Sequence, residues 1–212
     1  MNEPTEDAVL AKISAFYEQV VSALTSALQV RDKNISEHVS RVNEYSQLVA
    51  LELGWDASRR KELRLAALLH DIGKIALPDS VLFKKEPLTP DERMQLDSHP
   101  QRGAEMLEDV EFLVAIAEIV RHHHERWDGS GYPDGLAGAE IPEAARLLAV
   151  VDAFDTMTVA QPYQAAKPAA EAVQKIIEAS GEQFDPKMAE AFRRCCERGE
   201  IQEILTGNDE AD

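Results

Sequence analysis

The sequence has few cysteines, few aromatic residues and no long apolar run. Its only cysteines, Cys195 and Cys196, are adjacent and poorly placed to bridge each other, so we interpret them as reduced thiols. No apolar segment approaches the roughly 20 residues of a membrane-spanning helix. The acidic start, Met1-Asn2-Glu3-Pro4, lacks the basic and then apolar pattern of a signal peptide. These absences predict a cytoplasmic protein.

Positive charge is also scarce, which argues against binding to a nucleic-acid polymer. The 212 residues include 22 Lys and Arg against 39 Asp and Glu, a formal net charge of −17. Proteins that bind DNA or RNA present a basic face. A small anionic ligand stays compatible with this composition, because bound cations can reverse the field within one pocket. The 44% of hydrophobic residues are enough for a packed core, which excludes a disordered chain.

Helical periodicity runs through most of the chain and predicts an all-α fold. The glycine-rich segment 128–138 is expected to be a loop. We divide the chain into an N-terminal helical extension (1–30), one domain (31–200) and an acidic tail (201–212). The first helix either packs on the domain's own core or forms a dimer, and both interpretations stay open. The predicted helices cover 6–30, 34–53, 58–72, 101–125, 142–159, 167–179 and 186–198.

Histidines and aspartates beside apolar segments are the candidate metal ligands. His70-Asp71 ends one apolar helix, and a second cluster, 122–125, precedes the glycine-rich loop. Asp152 and Asp155 lie inside an apolar stretch, where an ionised carboxylate is costly unless it is paired or metal-bound. The six histidines of the chain are His38, His70, His99, His122, His123 and His124.

This ligand set favours two transition-metal ions. Imidazoles combined with carboxylates suit Fe, Mn, Zn or Ni better than Ca or Mg. Four or five histidines with two aspartates exceed the needs of one tetrahedral zinc, and they fit two ions roughly 3.5–4 Å apart that share a carboxylate. Such a pair binds a hydroxide between the ions and polarises phosphoryl oxygens. The expected chemistry is hydrolysis of a phosphodiester or phosphomonoester.

The order of these motifs resembles the HD-GYP family. The match runs through His70-Asp-Ile-Gly-Lys74, His99-Pro100 and the segment from His123-His124 to Gly131-Tyr132-Pro133, and it covers about residues 30–195. The resemblance implies an HD-domain-like helical bundle with a glycine-rich GYP loop. It also implies two or three divalent ions, commonly iron or manganese, and hydrolysis of cyclic di-GMP to the linear dinucleotide or GMP.

Roles follow from the resemblance residue by residue. One metal would be held by His38, His70, Asp71 and Asp152. Asp71 would bridge to a second metal held by His99, His123 and His124. Lys74 would contact the scissile phosphate, and Tyr132 would either line the substrate pocket or only shape its loop. We expect His122 to be a spectator, Glu125 to orient an imidazole, and three residues to form salt bridges or anchor loops: Arg126, Arg146 and Asp155.

The chain departs from the family pattern at the expected substrate contacts. Where the family has cations, this chain has Gln161 and Gln164, which can donate hydrogen bonds but lack the charge-assisted part. Lys167 could partly compensate. Asn34 replaces a glutamate that helps hold a third metal in some members, which favours a dinuclear site.

The leading hypothesis is therefore a metal-dependent cyclic di-GMP phosphodiesterase. The alternatives are a catalytically weak HD-GYP binding module, or a phosphohydrolase that acts on another nucleotide. A homodimer formed through the first helix and a regulatory partner in trans are further expectations.

Overall fold

The computed structural model describes residues 6–31, 33–160 and 165–207. Within these ranges the regular structure is helical, apart from one isolated bridge between Ser180 and Phe184, which confirms the all-α prediction. Short 3-10 helices cover Ile72–Ala76, Glu111–Leu113 and Gly138–Glu140. The α-helices are α1 (Glu6–Arg31), α2 (Lys33–Glu52), α3 (Ala57–Leu69), α4 (Asp79–Leu82), α5 (Pro90–Asp97), α6 (His99–Leu107), α7 (Val114–His122), α8 (Glu143–Thr158), α9 (Ala169–Glu178), α10 (Pro186–Glu197) and α11 (Glu200–Gly207).

Helices α2 and α8 pack against each other in the hydrophobic core. Tyr45 on α2 meets Phe154 on α8 edge to face, with ring centroids 5.5 Å apart, and Phe154 also contacts Phe192 of α10. These three rings are fully buried. Because His38 and Asp152 lie on the same two helices, the packing of this core also fixes the separation of two candidate metal ligands.

Helix α1 packs against α2, α3 and the 3-10 helix that follows α3. Val21 and Leu28 are buried in the core, and the ring of Tyr17 stacks on Phe112 with centroids 3.9 Å apart. At the end of the helix, the Arg31 guanidinium bonds the Asp79 carboxylate at 2.8 Å. Packing of α1 on its own domain is thus observed, and dimerisation through α1 stays a prediction.

The prediction of a single helix over 101–125 is wrong. The chain forms α6, then a break that includes an extended Val110, then the 3-10 turn and α7. Helices α6 and α7 pack against each other, so the chain has to reverse direction between them. The break lets Leu107 before it and Leu113 after it both reach the core. The predicted helix over 58–72 likewise ends early, at Leu69.

The acidic tail predicted over 201–212 begins later than expected. Helix α11 continues to Gly207, and Ile201 is only 1% exposed because it packs into the hydrophobic core. Apolar residues at 201, 204 and 205 lie close enough on a helix to share one face, so burial outweighs the acidic composition of the segment. Residues 208–212 lie outside the described ranges.

None of the helices in the described ranges is both long enough and apolar enough to cross a membrane.

Candidate metal centre

A tight backbone contact positions His70 and Asp71 at the end of α3. The turn that follows contains Gly73, where an added Cβ would lie 2.0 Å from the carbonyl oxygen of His99 and 2.6 Å from the backbone nitrogen of Gly103. No side chain fits there. The glycine therefore lets the turn press directly against α6, which brings Asp71 next to His99.

The backbone orients three of the histidines in the same way. The Nδ1 atoms of His70, His99 and His123 each lie 2.6–2.8 Å from the carbonyl oxygen three residues earlier. A carbonyl only accepts, so each Nδ1 carries the proton and donates it. The Nε2 atom of each ring is then left with a free lone pair, the form in which imidazole binds a metal.

The ligand atoms fall into two groups. The first group is formed by His38, His70 and Asp152, and the second by His99, His123 and His124. Within each group the ligand atoms lie within 4.8 Å of one another. Two Nε2 atoms face each other in both groups, at 3.2 Å between His38 and His70 and at 3.4 Å between His99 and His123. Between His99 and His123 both Nε2 atoms carry lone pairs, and facing lone pairs repel unless a cation lies between them. The donor set thus fits divalent metal ions.

Asp71 lies between the two groups and is 2% exposed. Its Oδ1 is 3.3 Å from His99 Nε2, and its Oδ2 is 3.6 Å from His70 Nε2. Lys74 Nζ contacts the same Oδ2 at 2.6 Å. Burial alone would raise the pKa of Asp71, but Lys74 and the neighbouring histidines hold it well below its usual range. One carboxylate oxygen therefore faces each group while the carboxylate stays ionised.

Burial keeps most of the imidazoles neutral. It lowers the pKa of His70, lowers that of His123 well below the usual value, and lowers that of His124 to about 3. His38 differs. Burial lowers its pKa too, but the carboxylates of Asp155, Asp152 and Asp71 outweigh burial and raise it.

A buried ion pair supports His38 from behind. Asp155, 1% exposed, lies 2.8 Å from His38 Nδ1 and accepts two bonds from Arg41, at 2.6 Å and 3.0 Å. A salt bridge was expected for Asp155, but its partner Arg41 was missed. Arg41 follows His38 by three residues on α2, and this spacing places both side chains on one helix face.

Glu125 holds the glycine-rich loop beside the site. Its Oε1 accepts the backbone N–H groups of Asp134 at 2.7 Å and Gly135 at 3.0 Å. Glu125 thus orders the loop rather than orienting an imidazole, the role that the sequence predicted. A Cβ on Gly131 would lie 2.4 Å from the Arg126 nitrogen, so the loop folds back closely on this segment.

The remaining predicted structural residues contact carboxylates near this loop. His122 Nε2 lies 2.9 Å from Asp134 Oδ2, outside both ligand groups. Arg126 pairs with Asp128 at 3.0 Å. Arg146 pairs with Asp185 at 2.6 Å.

We predict that Glu125→Ala destabilises the loop. The substitution removes the acceptor of two backbone N–H groups and should lower the free energy of unfolding by about 1–3 kcal/mol. Glu125→Gln keeps an acceptor oxygen and is the matched control. Urea unfolding gives the energy, and hydrogen exchange reports the amides of Asp134 and Gly135 directly. Unchanged exchange at both amides in the alanine variant would contradict the assignment.

Tyr132 contacts other protein groups through both its backbone and its side chain. Its backbone N–H donates to the His124 carbonyl at 3.3 Å, and the two rings lie 5.2 Å apart. Arg93 and Asp97, which pair with each other at 2.9 Å, lie near its side chain, and burial together with the Asp97 charge raises the pKa of Tyr132. Sequence analysis missed Arg93 and Asp97, because charged residues on a short helix usually face solvent.

The predicted substrate contacts Gln161 and Gln164 lie outside the described residues. Lys167, the expected substitute, lies 3.3 Å from Glu171 on α9.

A cleft of about 630 Å³ opens beside the ligand groups. Its size lies within the range of small-molecule sites. Three candidate ligands, His123, His124 and Asp152, form part of its wall. Another part of the wall comes from α9 and the turn after it, and it includes Lys175, Glu178, Glu182, Gln183 and Phe184.

The family model of the HD domain matches residues 22–188. The chain belongs to the HD domain family. It is 39% identical, over 94% of its length, to a Xanthomonas campestris protein named cyclic di-GMP phosphodiesterase response regulator RpfG, of which it covers 53%.

Solved HD-domain structures share the fold. Bd1817, an HDG"Y"P protein from Bdellovibrio bacteriovorus, matches with TM-score 0.63 and 24% identity over 76% of this chain and 51% of that one. A cyclic GMP-AMP specific phosphodiesterase of Vibrio cholerae, V-cGAP3, matches with TM-score 0.68 and 22% identity over 87% and 49%. The family model, the Xanthomonas relative and these structures together confirm the resemblance to the HD-GYP family. This HD-domain chain spans about half the length of each of these three matched proteins.

Proposed function

We propose that this HD-domain chain is a dinuclear-metal phosphodiesterase that hydrolyses cyclic di-GMP to the linear dinucleotide, GMP or both. One observation carries the proposal: two groups of three metal-ligating side chains flank a single buried, ionised carboxylate, that of Asp71. A carboxylate with one oxygen toward each group suits a pair of ions that share a ligand. The relative named as a cyclic di-GMP phosphodiesterase supports the choice of substrate.

The ligands would divide as the geometry groups them. His38, His70 and Asp152 would hold one ion, and His99, His123 and His124 the other, with Asp71 between them. When bound, two such ions supply an activated water molecule and neutralise charge on phosphoryl oxygens. Iron or manganese is the expected metal, because imidazole and carboxylate donors suit both.

The protein's own groups prepare the site for a phosphodiester. The backbone carbonyls that accept from the Nδ1 atoms keep the imidazoles in the tautomer that binds metal. Lys74 keeps Asp71 ionised and places a positive charge beside it, where it would offset the negative charge that develops on the phosphate. The adjoining cleft would take the rest of the nucleotide and exclude water from it.

Cyclic GMP-AMP is the second candidate substrate. A solved structure with this fold is named a cyclic GMP-AMP specific phosphodiesterase. Gln161 and Gln164 also replace the cations expected to bind the phosphates of cyclic di-GMP, so the substrate contacts differ from the family pattern. The same neutral pair favours the further alternative of a binding module without turnover.

Turnover by the reconstituted protein tests the proposal. Protein loaded anaerobically with Fe(II) or Mn(II) is given cyclic di-GMP or cyclic GMP-AMP, and the products are separated by chromatography. Faster release of linear dinucleotide or GMP from cyclic di-GMP supports the proposal. Faster turnover of cyclic GMP-AMP than of cyclic di-GMP would make cyclic GMP-AMP the preferred substrate. Binding of either nucleotide without turnover would contradict the enzyme proposal and favour a binding module.

A further inference from the structure

Two cations line the cleft beside the ligand groups, and they differ in their partners. Arg126 is committed to the glycine-rich loop, because it bonds the Asp128 carboxylate at 3.0 Å and the Ser130 hydroxyl at 2.8 Å. Lys175 is exposed on α9, and no residue in the described ranges forms an ion pair with it. The charge of Lys175 is therefore available to a ligand in the cleft.

Helix α9 holds Lys175 in a fixed position at this wall. The neighbouring Ile176 and, one turn earlier, Ala172 are fully buried, so rotation of the helix about its axis would expose them. The turn after α9 is joined to the glycine-rich loop, because the backbone N–H groups of Trp127 and Asp128 donate to the carbonyls of Gln183 and Glu182. The turn that lines the cleft after α9 is thus hydrogen-bonded to the segment that follows the His123-His124 pair.

The other charges in the cleft would repel an anionic ligand unless a cation offsets them. A cyclic dinucleotide carries two phosphodiester groups in its ring, and only one of them can lie at the metal ions. The second would enter a cleft whose wall includes the carboxylates of Glu178 and Glu182, which repel it. Lys167 is paired with Glu171, and Gln161 and Gln164 carry no charge.

We propose that Lys175 binds the second, non-scissile phosphate of a cyclic dinucleotide. The inference rests on the proposed function and specifies one of its substrate contacts. A lysine ammonium at this place forms a charge-assisted hydrogen bond to a phosphate oxygen. It would also offset the two glutamates, which explains how a strongly acidic protein can admit a ligand with two negative charges.

The experiment compares a substrate that has two phosphates with one that has a single phosphate. Lys175→Gln is assayed on cyclic di-GMP and on bis(4-nitrophenyl) phosphate, with the same metal loading throughout. For cyclic di-GMP we expect KM and the measured Kd to rise roughly tenfold with little change in kcat, because a binding contact away from the reacting atoms is lost. For bis(4-nitrophenyl) phosphate we expect no change.

Two variants serve as controls. Lys187→Gln removes a lysine charge on α10 that is paired with Glu143 outside the cleft lining, and it should leave both substrates unaffected. Lys175→Arg keeps the charge and should retain most of the affinity. An unchanged KM and Kd for cyclic di-GMP in Lys175→Gln would overturn the proposal, as would an equal loss on both substrates, which would place Lys175 in the metal centre.

The same design separates this inference from the proposed function. If the wild-type protein hydrolyses neither substrate, the proposed function fails. The Kd of cyclic di-GMP measured by calorimetry then still decides the role of Lys175: weaker binding in Lys175→Gln supports it, and equal binding or no binding by the wild-type protein overturns it.

Discussion

Asp71→Asn should lose cyclic di-GMP turnover by on the order of 10³-fold or more, because the activation of water depends on the paired ions. Asparagine has almost the same shape as aspartate, but it offers only one acceptor oxygen and no negative charge between the two ligand groups. It also removes the carboxylate charge that lies 2.6 Å from the Lys74 ammonium. Bound metal should fall below two ions per chain, as measured by elemental analysis.

The control for this variant is Asp109→Asn, which changes an exposed aspartate in the break between α6 and α7. It should keep both the metal and the turnover. The double variant His70→Ala/Asp71→Ala removes a ligand in addition and should be inactive. Circular dichroism checks that each variant is folded. Wild-type turnover in Asp71→Asn or in the double variant would discard the proposed mechanism.

Asp155→Ala should lower the free energy of unfolding of the metal-free protein by about 3–5 kcal/mol, the cost of removing one partner of a buried ion pair. Arg41 is 6% exposed and would keep its charge in the interior without an anion. The His38 Nδ1 proton would lose its acceptor as well. Urea unfolding measures the change.

Two comparisons test the physical reason for this loss. Glu190→Ala breaks solvent-exposed pairs with Arg193 and Arg194 and should cost much less stability than Asp155→Ala. Arg41→Met/Asp155→Leu replaces both buried charges by apolar side chains and should recover much of the stability. A loss in Asp155→Ala no larger than that in Glu190→Ala would mean that Arg41 reaches water when its partner is removed.

The sequence predicted the helices well where a helix has its own apolar face, and less well where tertiary packing decides its ends. The periodic pattern continues through 108–113, so nothing local marks the reversal between α6 and α7 that lets Leu107 and Leu113 both reach the core. Similarly, the acidic composition near the C-terminus led to the prediction of a tail where the structure has α11. This helix forms because Ile201 packs into the hydrophobic core.

The predicted metal ligands lie together in the structure, because imidazole and carboxylate side chains at apolar helix ends are unusual enough to identify from the sequence. Their supporting partners were harder to find. Arg41, Arg93 and Asp97 belong to residue types that usually face solvent, and only the fold shows that they meet Asp155 or Tyr132. Lys175 was missed for the same reason, since its place in the cleft depends on how α9 packs.

The missing side chain at Gly73 sets the spacing of the whole site. Main chain rests on main chain at this point, so no change of rotamer can widen or narrow the gap between the backbone of the turn after Asp71 and the backbone of α6 at His99. Side chains nearby can fluctuate without altering it. The ligands are therefore held near their working separation before any ion arrives, and little ordering cost is left for metal uptake.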